Sequence, residues 1–278
     1  MPWISFKMKK ITSDSYPYVT GMGFRNRAHM IFDEFQQDPP HKITEDGQVV
    51  FVKTDLVPYF FNSVMPQIKN DVIILTHNSA LGIDQRYQGF LNNRKVISWY
   101  AQNANFAHPK LFSIPLGIAN LRWPHGDISK IDEVNDMNLQ KKHLVYMNFD
   151  LQTNVIERTK VFNMFNEKNY VLKGQKKPFM DYLKDLASCK YTLSPPGAGI
   201  DCHRIWESIA VGTIPIVQNC HNISFHTKLP ILIIDDWRCL TENFLEDKHD
   251  FLCSELYNKT PIYLDYWIQK IGLKNVVK

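Results

Sequence analysis

Arg204 and Glu207 stand three residues apart just after the run Leu193-Ser194-Pro195-Pro196-Gly197-Ala198-Gly199. The prolines and glycines exclude a helix there and let the backbone approach a ligand closely. Tyr191 to Leu193 reads as a short strand before the loop. Asp201 reads as the N-cap of a helix whose Ile205, Ile209 and Ala210 form an apolar face, with Gly212 at its end. A second strand, Thr213 to Val217, follows. Strand, glycine loop and helix together aim free N–H groups and the positive end of a helix dipole at one point, which suits a phosphate. Arg204 reinforces that point. Glu207, on the same helical face, can accept hydrogen bonds from both hydroxyls of a ribose. The pair suggests a nucleotide. The plain alternative is an ordinary βαβ crossover in which the two side chains merely pair on the surface. Neither GxGxxG nor GxxxxGK[ST] is present, which argues against a dinucleotide or P-loop site.

A second arginine repeats the placement. His143 to Asn148 reads as a strand, PheAspLeuGlnThrAsn as a turn, and Val155 to Phe165 as a helix with Arg158 in its early turns. Two guanidinium groups and two helix ends can then converge on one diphosphate, with Thr153, Ser194, Gly197 and Gly199 adding hydroxyl and backbone contacts. A diphosphate leaving group needs such fixed donors or a divalent metal as its bond breaks. Asp235 with Asp236 lacks the Asp-x-Asp spacing that a metal-dependent GT-A transferase needs. The expectation is therefore no metal and no cofactor, with the GT-A reading and a non-catalytic nucleotide or sugar-binding module as alternatives.

These residues need a scaffold. Val49 to Lys53, Asp71 to Thr76 and Lys95 to Tyr100 read as strands separated by helical segments, one of them capped by Asp55 and running through Phe60, Phe61 and Met65. Tyr16 to Thr20 reads as a first strand, followed by a Gly21-Met22-Gly23 turn and a helix to about Phe35. Alternation of this kind implies parallel sheets with helices on their faces and ligands at the carboxyl ends of the strands, where Gly21, Asp55, His77 and Asn78 fall. The polar segment Arg122 to Lys142 marks a boundary. The domains are then 1–125 and 126–278, each a parallel sheet with helices, with Ile262 to Ile271 a closing helix.

The run LSPPGAGIDCHRIWESIAVGTIPIV resembles the nucleotide-sugar motif of exostosin-like glycosyltransferases and, more distantly, that of protein O-glucosyltransferases. The match is strongest from about Asp71 to Val217, and the short chain most resembles the chlorovirus xylosyltransferase branch of the family. The resemblance implies an α/β fold of GT-B architecture, two Rossmann-like domains across a cleft, 1–125 facing the acceptor and 126–278 binding the donor, with the last helix returning to the first. It implies metal-independent, inverting transfer of a sugar, xylose above all, from a UDP-sugar to a hydroxyl of an oligosaccharide or glycoprotein acceptor. Asp201, Arg204, Glu207 and Arg158 would then hold the donor. Asp55 is the implied base, because the O-glucosyltransferases place an aspartate after an equivalent strand; His77 and Asp84 are its rivals. Asp55 as a plain helix cap and His77 as a strand-end hydrogen bonder are the structural alternatives.

Composition bounds the remaining classes. A hydrophobic share of 44% with 22% charged residues supports a globular core, and a net charge of +4 is too small and scattered to argue for nucleic acid. No stretch approaches the ~20 apolar residues of a membrane-spanning helix, and the first residues carry no signal-peptide pattern. The five cysteines, Cys189, Cys202, Cys220, Cys239 and Cys253, contain no CxxC and read as reduced thiols. Together these place the chain in a cytoplasm, that of a host if it is viral.

Overall fold

A computed structural model describes residues 15–274. The chain is mixed α/β with two five-stranded, fully parallel sheets. The first contains β1 (Met30–Phe32), β2 (Gln48–Lys53), β3 (Val72–His77), β4 (Val96–Ala101) and β5 (Leu111–Ser113) in that spatial order. The second contains β6 (His143–Met147), β7 (Val171–Lys173), β8 (Cys189–Leu193), β9 (Ile214–Gln218) and β10 (Leu232–Ile234), ordered β10-β9-β8-β6-β7. The helices are α1 (Gly21–Arg27), α2 (Val57–Tyr59), α3 (Gln88–Leu91), α4 (Ser129–Asp136), α5 (Val155–Phe165), α6 (Phe179–Ala187), α7 (His203–Ala210), α8 (Glu242–Ser254) and α9 (Leu264–Ile271).

Parallel strands must be buried on both faces, and β2 shows how this is met. Val50 and Val52 point into a core with Phe60, Phe61 and Trp99, formed by the segments that connect the strands. Val49 and Phe51 point the other way, toward Phe24, Leu264, Trp267 and Ile268. Strands laid down in sequential order send their right-handed crossovers to one face only, so the opposite face must be covered from elsewhere. Helices α1 and α9 cover it. The C-terminal helix is held there by backbone bonds from Leu264 N–H to the Pro17 carbonyl and from Val19 N–H to the Ile262 carbonyl.

The local structure differs from the sequence reading at several points. Tyr16 to Thr20 is not a strand; it makes one isolated bridge, Tyr18 with Tyr263. Thr20 instead caps α1 by accepting from Gly23 N–H at 2.9 Å, so the helix begins at Gly21 and ends at Arg27. Residues 30–32, expected to be helical, form an edge strand paired with β2, and the buried ion pair of Arg25 with Asp33 turns the chain after it. After β2 a single helix does not form. A 3₁₀ turn (Thr54–Leu56), α2, a π turn (Phe60–Val64) and another 3₁₀ turn (Met65–Gln67) succeed one another, because Pro58 and Pro66 each lack an N–H for a continuous ladder. Asp55 caps none of them. The polar segment after Arg122 contains α4, whose Ile131 and Val134 are buried in a core shared with Leu183 and Leu186 of α6. Strand β5 and helix α8 have no counterpart in the sequence reading.

Candidate functional site

The second sheet reverses its winding at β6. The chain leaves β6 to form β7 on one side and returns to form β8 on the other, so the connections beyond the carboxyl ends of β6 and β8 diverge and leave a crevice. Strand β6 runs into Asn148, Phe149 and Asp150, and β8 into Ser194 and the Pro/Gly loop. A cavity of about 560 Å³ lies here, to which α5, α6 and α7 contribute Arg158, Tyr182, Arg204 and Glu207. Its volume is that of a small-ligand site.

The cavity is electrostatically poised for an anion. Arg158, buried on α5, donates through Nη1 to the Asp150 carbonyl at 2.8 Å and through Nε to the Pro196 carbonyl at 3.0 Å. These bonds fix its plane. Arg204 Nε is enclosed without a hydrogen-bond partner, and among the described residues neither arginine forms an ion pair. Both guanidinium groups lie over the Phe149 ring, at 5.7 Å for Arg158 and 5.6 Å for Arg204. Burial, and then the neighbouring Arg204 charge, lowers the pKa of Arg158. Two mutually repelling cations held close together favour any ligand that brings negative charge.

Glu207 is buried at 4% exposure and does not pair with Arg204 on the surface. Its Oε2 accepts from the Tyr182 hydroxyl at 2.8 Å. Burial raises the Glu207 pKa, opposed by the Tyr182 hydrogen bond and the Arg204 charge.

A second cavity, of about 380 Å³, opens between the two sheets and shares Arg158, Cys202 and His203 with the first. Its walls come from the carboxyl ends of β3 and β4, the loop Gly197 to Gly199, and an exposed Trp123. Loop 199–202 crosses to the first sheet's side of the molecule. There the Asp201 carboxylate accepts from Leu116 N–H at 2.8 Å and from the Trp206 indole, and Asp201 N–H donates to Asn103 Oδ1 at 2.9 Å. Asn103 and Asn78 both adopt positive φ at these strand ends, a conformation asparagine tolerates better than most residues.

The structure brings together Arg158, Arg204 and Glu207 in the first cavity and Thr153, Gly197, Gly199, Asp201 and His77 around the second. Asp201 is not the N-cap of α7; Cys202 occupies that position, and the Asp201 carboxylate is consumed by Leu116 and Trp206. Ser194 Oγ is sealed away from both cavities. The two glycines are needed for approach by protein as well as ligand: a Cβ on Gly197 would lie 2.7 Å from Arg158 Nη2, and one on Gly199 would lie 2.6 Å from Asn103 Nδ2. Asp55 is exposed after β2 and lines neither cavity. His77 is 1% exposed; Nε2 faces the Pro115 carbonyl at 3.0 Å and Nδ1 accepts from Asn78 N–H, so no ring nitrogen is free to take a proton. Asp84 is bound by Arg86 at the surface.

Asp235 and Asp236 are likewise committed, to Asn219 and Arg238. Among the described residues no group of three or more His, Cys, Asp and Glu side chains is arranged to hold a metal, and no helix is long and apolar enough to cross a membrane. All five cysteines are free thiols. The sequence reading missed Tyr182 and Phe149 and gave His203 no part in the site. Only the position of His203 beside Arg204 offered a signal.

Two parallel sheets with a crevice at the reversal of strand order, lined by Arg158 and Arg204, define a ligand site of the α/β class. Within it, residues 145–270 match the family model described as the RXYLT1 C-terminal domain, a xylosyltransferase-like, exostosin-related domain. The match spans β6 through α9 and includes Arg158, Arg204 and Glu207, and it supports a glycosyltransferase. A solved structure titled "Crystal structure of GtfA/B complex" is similar at 12% identity and a TM-score of 0.38, over 82% of this chain and 57% of that one. No curated protein matches the chain.

Proposed function

We propose that this protein is a metal-independent, inverting glycosyltransferase of GT-B architecture that moves a sugar from a UDP-sugar to a hydroxyl of a glycan acceptor. The observation that carries the reading is the single cavity containing a buried carboxylate and two arginines that form no ion pair among the described residues, at the reversal of strand order. As the bond from the anomeric carbon to the diphosphate oxygen breaks, charge gathers on the diphosphate, and Arg158 and Arg204 stabilise it without having to reorganise. Glu207 takes the ribose hydroxyls. Arg158 borders both cavities, so a diphosphate on it directs the sugar toward the cleft between residues 1–125 and 126–278, where the acceptor enters. Attack from that side, opposite the leaving group, inverts the anomeric centre. UDP-xylose is the first donor to try, on the strength of the xylosyltransferase-like match.

Calorimetry of UDP binding in excess chelator tests the donor site, and absence of binding there overturns it. Release of UDP from UDP-xylose with no chelator effect is the expected result. A module that binds UDP but turns over no UDP-sugar is non-catalytic. A product that keeps the donor's anomeric configuration, read by proton NMR, refutes the single displacement.

A further inference from the structure

A single displacement needs a base at the junction of donor and acceptor, and neither Asp55 nor His77 offers a free one there. We infer that His203 is the catalytic base, accepting the acceptor hydroxyl's proton on Nε2; this rests on the donor-site reading above.

His203 is the first residue of α7, beside Arg204, and borders both the donor cavity and the cleft. Its Nδ1 lies 2.7 Å from the Gly117 carbonyl. A carbonyl can only accept, so Nδ1 carries the hydrogen, and in the neutral ring Nε2 is then a bare lone pair. No described residue hydrogen-bonds to Nε2. The ring is thus held in one tautomer by the first half of the chain and presents its basic nitrogen where donor and acceptor meet. Burial lowers its pKa, which keeps the imidazole neutral before substrate arrives. A diphosphate on the adjacent arginines would raise it again and stabilise the imidazolium formed in the reaction.

His125, whose ring lies 6.0 Å away, borders the donor cavity and not the cleft; it is exposed, and no described residue hydrogen-bonds to its ring to fix a tautomer. In the step itself the acceptor oxygen bonds to the anomeric carbon and its proton passes to His203 Nε2. The bond from the anomeric carbon to the diphosphate breaks, and its electron pair leaves with UDP.

The decisive variant is His203→Asn, because the asparagine Nδ2 can keep the bond to Gly117 while the basic nitrogen is lost. The assay measures UDP release from UDP-xylose and four other UDP-sugars into water or a simple xyloside, with UDP affinity and Tm measured in parallel. The assignment expects His203→Asn to lower kcat by ~100-fold or more with UDP affinity and Tm nearly unchanged, since general-base catalysis commonly supplies 10²–10⁴. Turnover within threefold of wild type overturns the base while leaving the donor site standing. So does an equal loss in Asp55→Asn with His203→Asn active. Wild-type protein that fails to bind UDP, or binds it and turns over none of the donors, overturns the transferase reading and this assignment with it.

Discussion

The Tyr182 hydroxyl donates to Glu207 Oε2 at 2.8 Å, joining α6 to α7 inside the cavity that contains both arginines. The bond occupies one carboxylate oxygen and leaves Oε1 for a ligand. A ribose diol would add donors to a buried group short of them. Glu207→Gln preserves an acceptor for Tyr182 yet replaces one acceptor by an N–H donor, so UDP affinity should fall about 10-fold, the worth of one charged hydrogen bond, with the Tm unchanged. Measured against 2′-deoxy-UDP, the same substitution should cost much less. Equal losses for the two ligands would show that Glu207 does not touch the ribose.

Arg204 and Arg158 are chemically alike and differently held, which separates their variants. Arg158 bonds two carbonyls, Asp150 and Pro196, whereas Arg204 Nε is enclosed with no partner. Removing Arg204 relieves repulsion with Arg158, withdraws the charge that favours the buried Glu207 carboxylate, and breaks no bond to an oxygen acceptor. Arg204→Ala should therefore weaken UDP at least ~10-fold while changing the ligand-free Tm little, the two electrostatic effects opposing one another. Arg158→Ala should lower both, because the loop carbonyls lose their donor. Calorimetry and thermal melts of the two proteins decide it; an Arg204→Ala protein with wild-type affinity would remove the residue from the donor site.

Gly197 sets how close the loop comes to Arg158. An added Cβ would meet Nη2 at 2.7 Å, and the guanidinium cannot swing aside without giving up Asp150 or Pro196. Gly197→Ala should reduce UDP affinity by roughly the same factor as loss of one charge-assisted contact, about 10-fold. Retained affinity would mean that Nη2 is not a ligand group.

How far the site was legible follows from sequence distance. The strand, loop and helix around Arg204 announce themselves locally, since prolines, glycines and apolar spacing all fall within one short run. Tyr182 meets Glu207 across 25 residues and Leu116 meets Asp201 across 85, and no local pattern encodes either pairing. Asp201 was misread for that reason: an aspartate before an apolar period looks like a cap, and tertiary contacts with Leu116 and Trp206 outweighed it. Strand β1 was lost because three residues at a sheet edge are too few to show alternation. His203 needed the Gly117 carbonyl to fix its tautomer, which only the fold supplies.

Asp201 also gives stability a pH dependence whose sign can be worked out. Its carboxyl is buried in the seam between the two halves, and burial pushes its pKa up to about 7, against the opposing hydrogen bonds from Leu116 N–H and the Trp206 indole. In the unfolded chain the same group titrates near the ordinary value of about 4. Between these values the folded protein retains a proton that the unfolded chain has released. The stability this group contributes is thus fully present below about pH 4 and declines as the pH rises toward 7, where the native carboxylate finally ionises. Asp201→Asn removes the titration and keeps an acceptor for Leu116 N–H. Thermal unfolding of both proteins at pH 5 and pH 8 isolates the effect, because every other titrating group is common to the pair. On going from pH 5 to pH 8 the wild type should lose stability relative to Asp201→Asn. Parallel changes in the two proteins would show that the Asp201 carboxyl is already ionised at pH 5 and that its hydrogen bonds outweigh its burial.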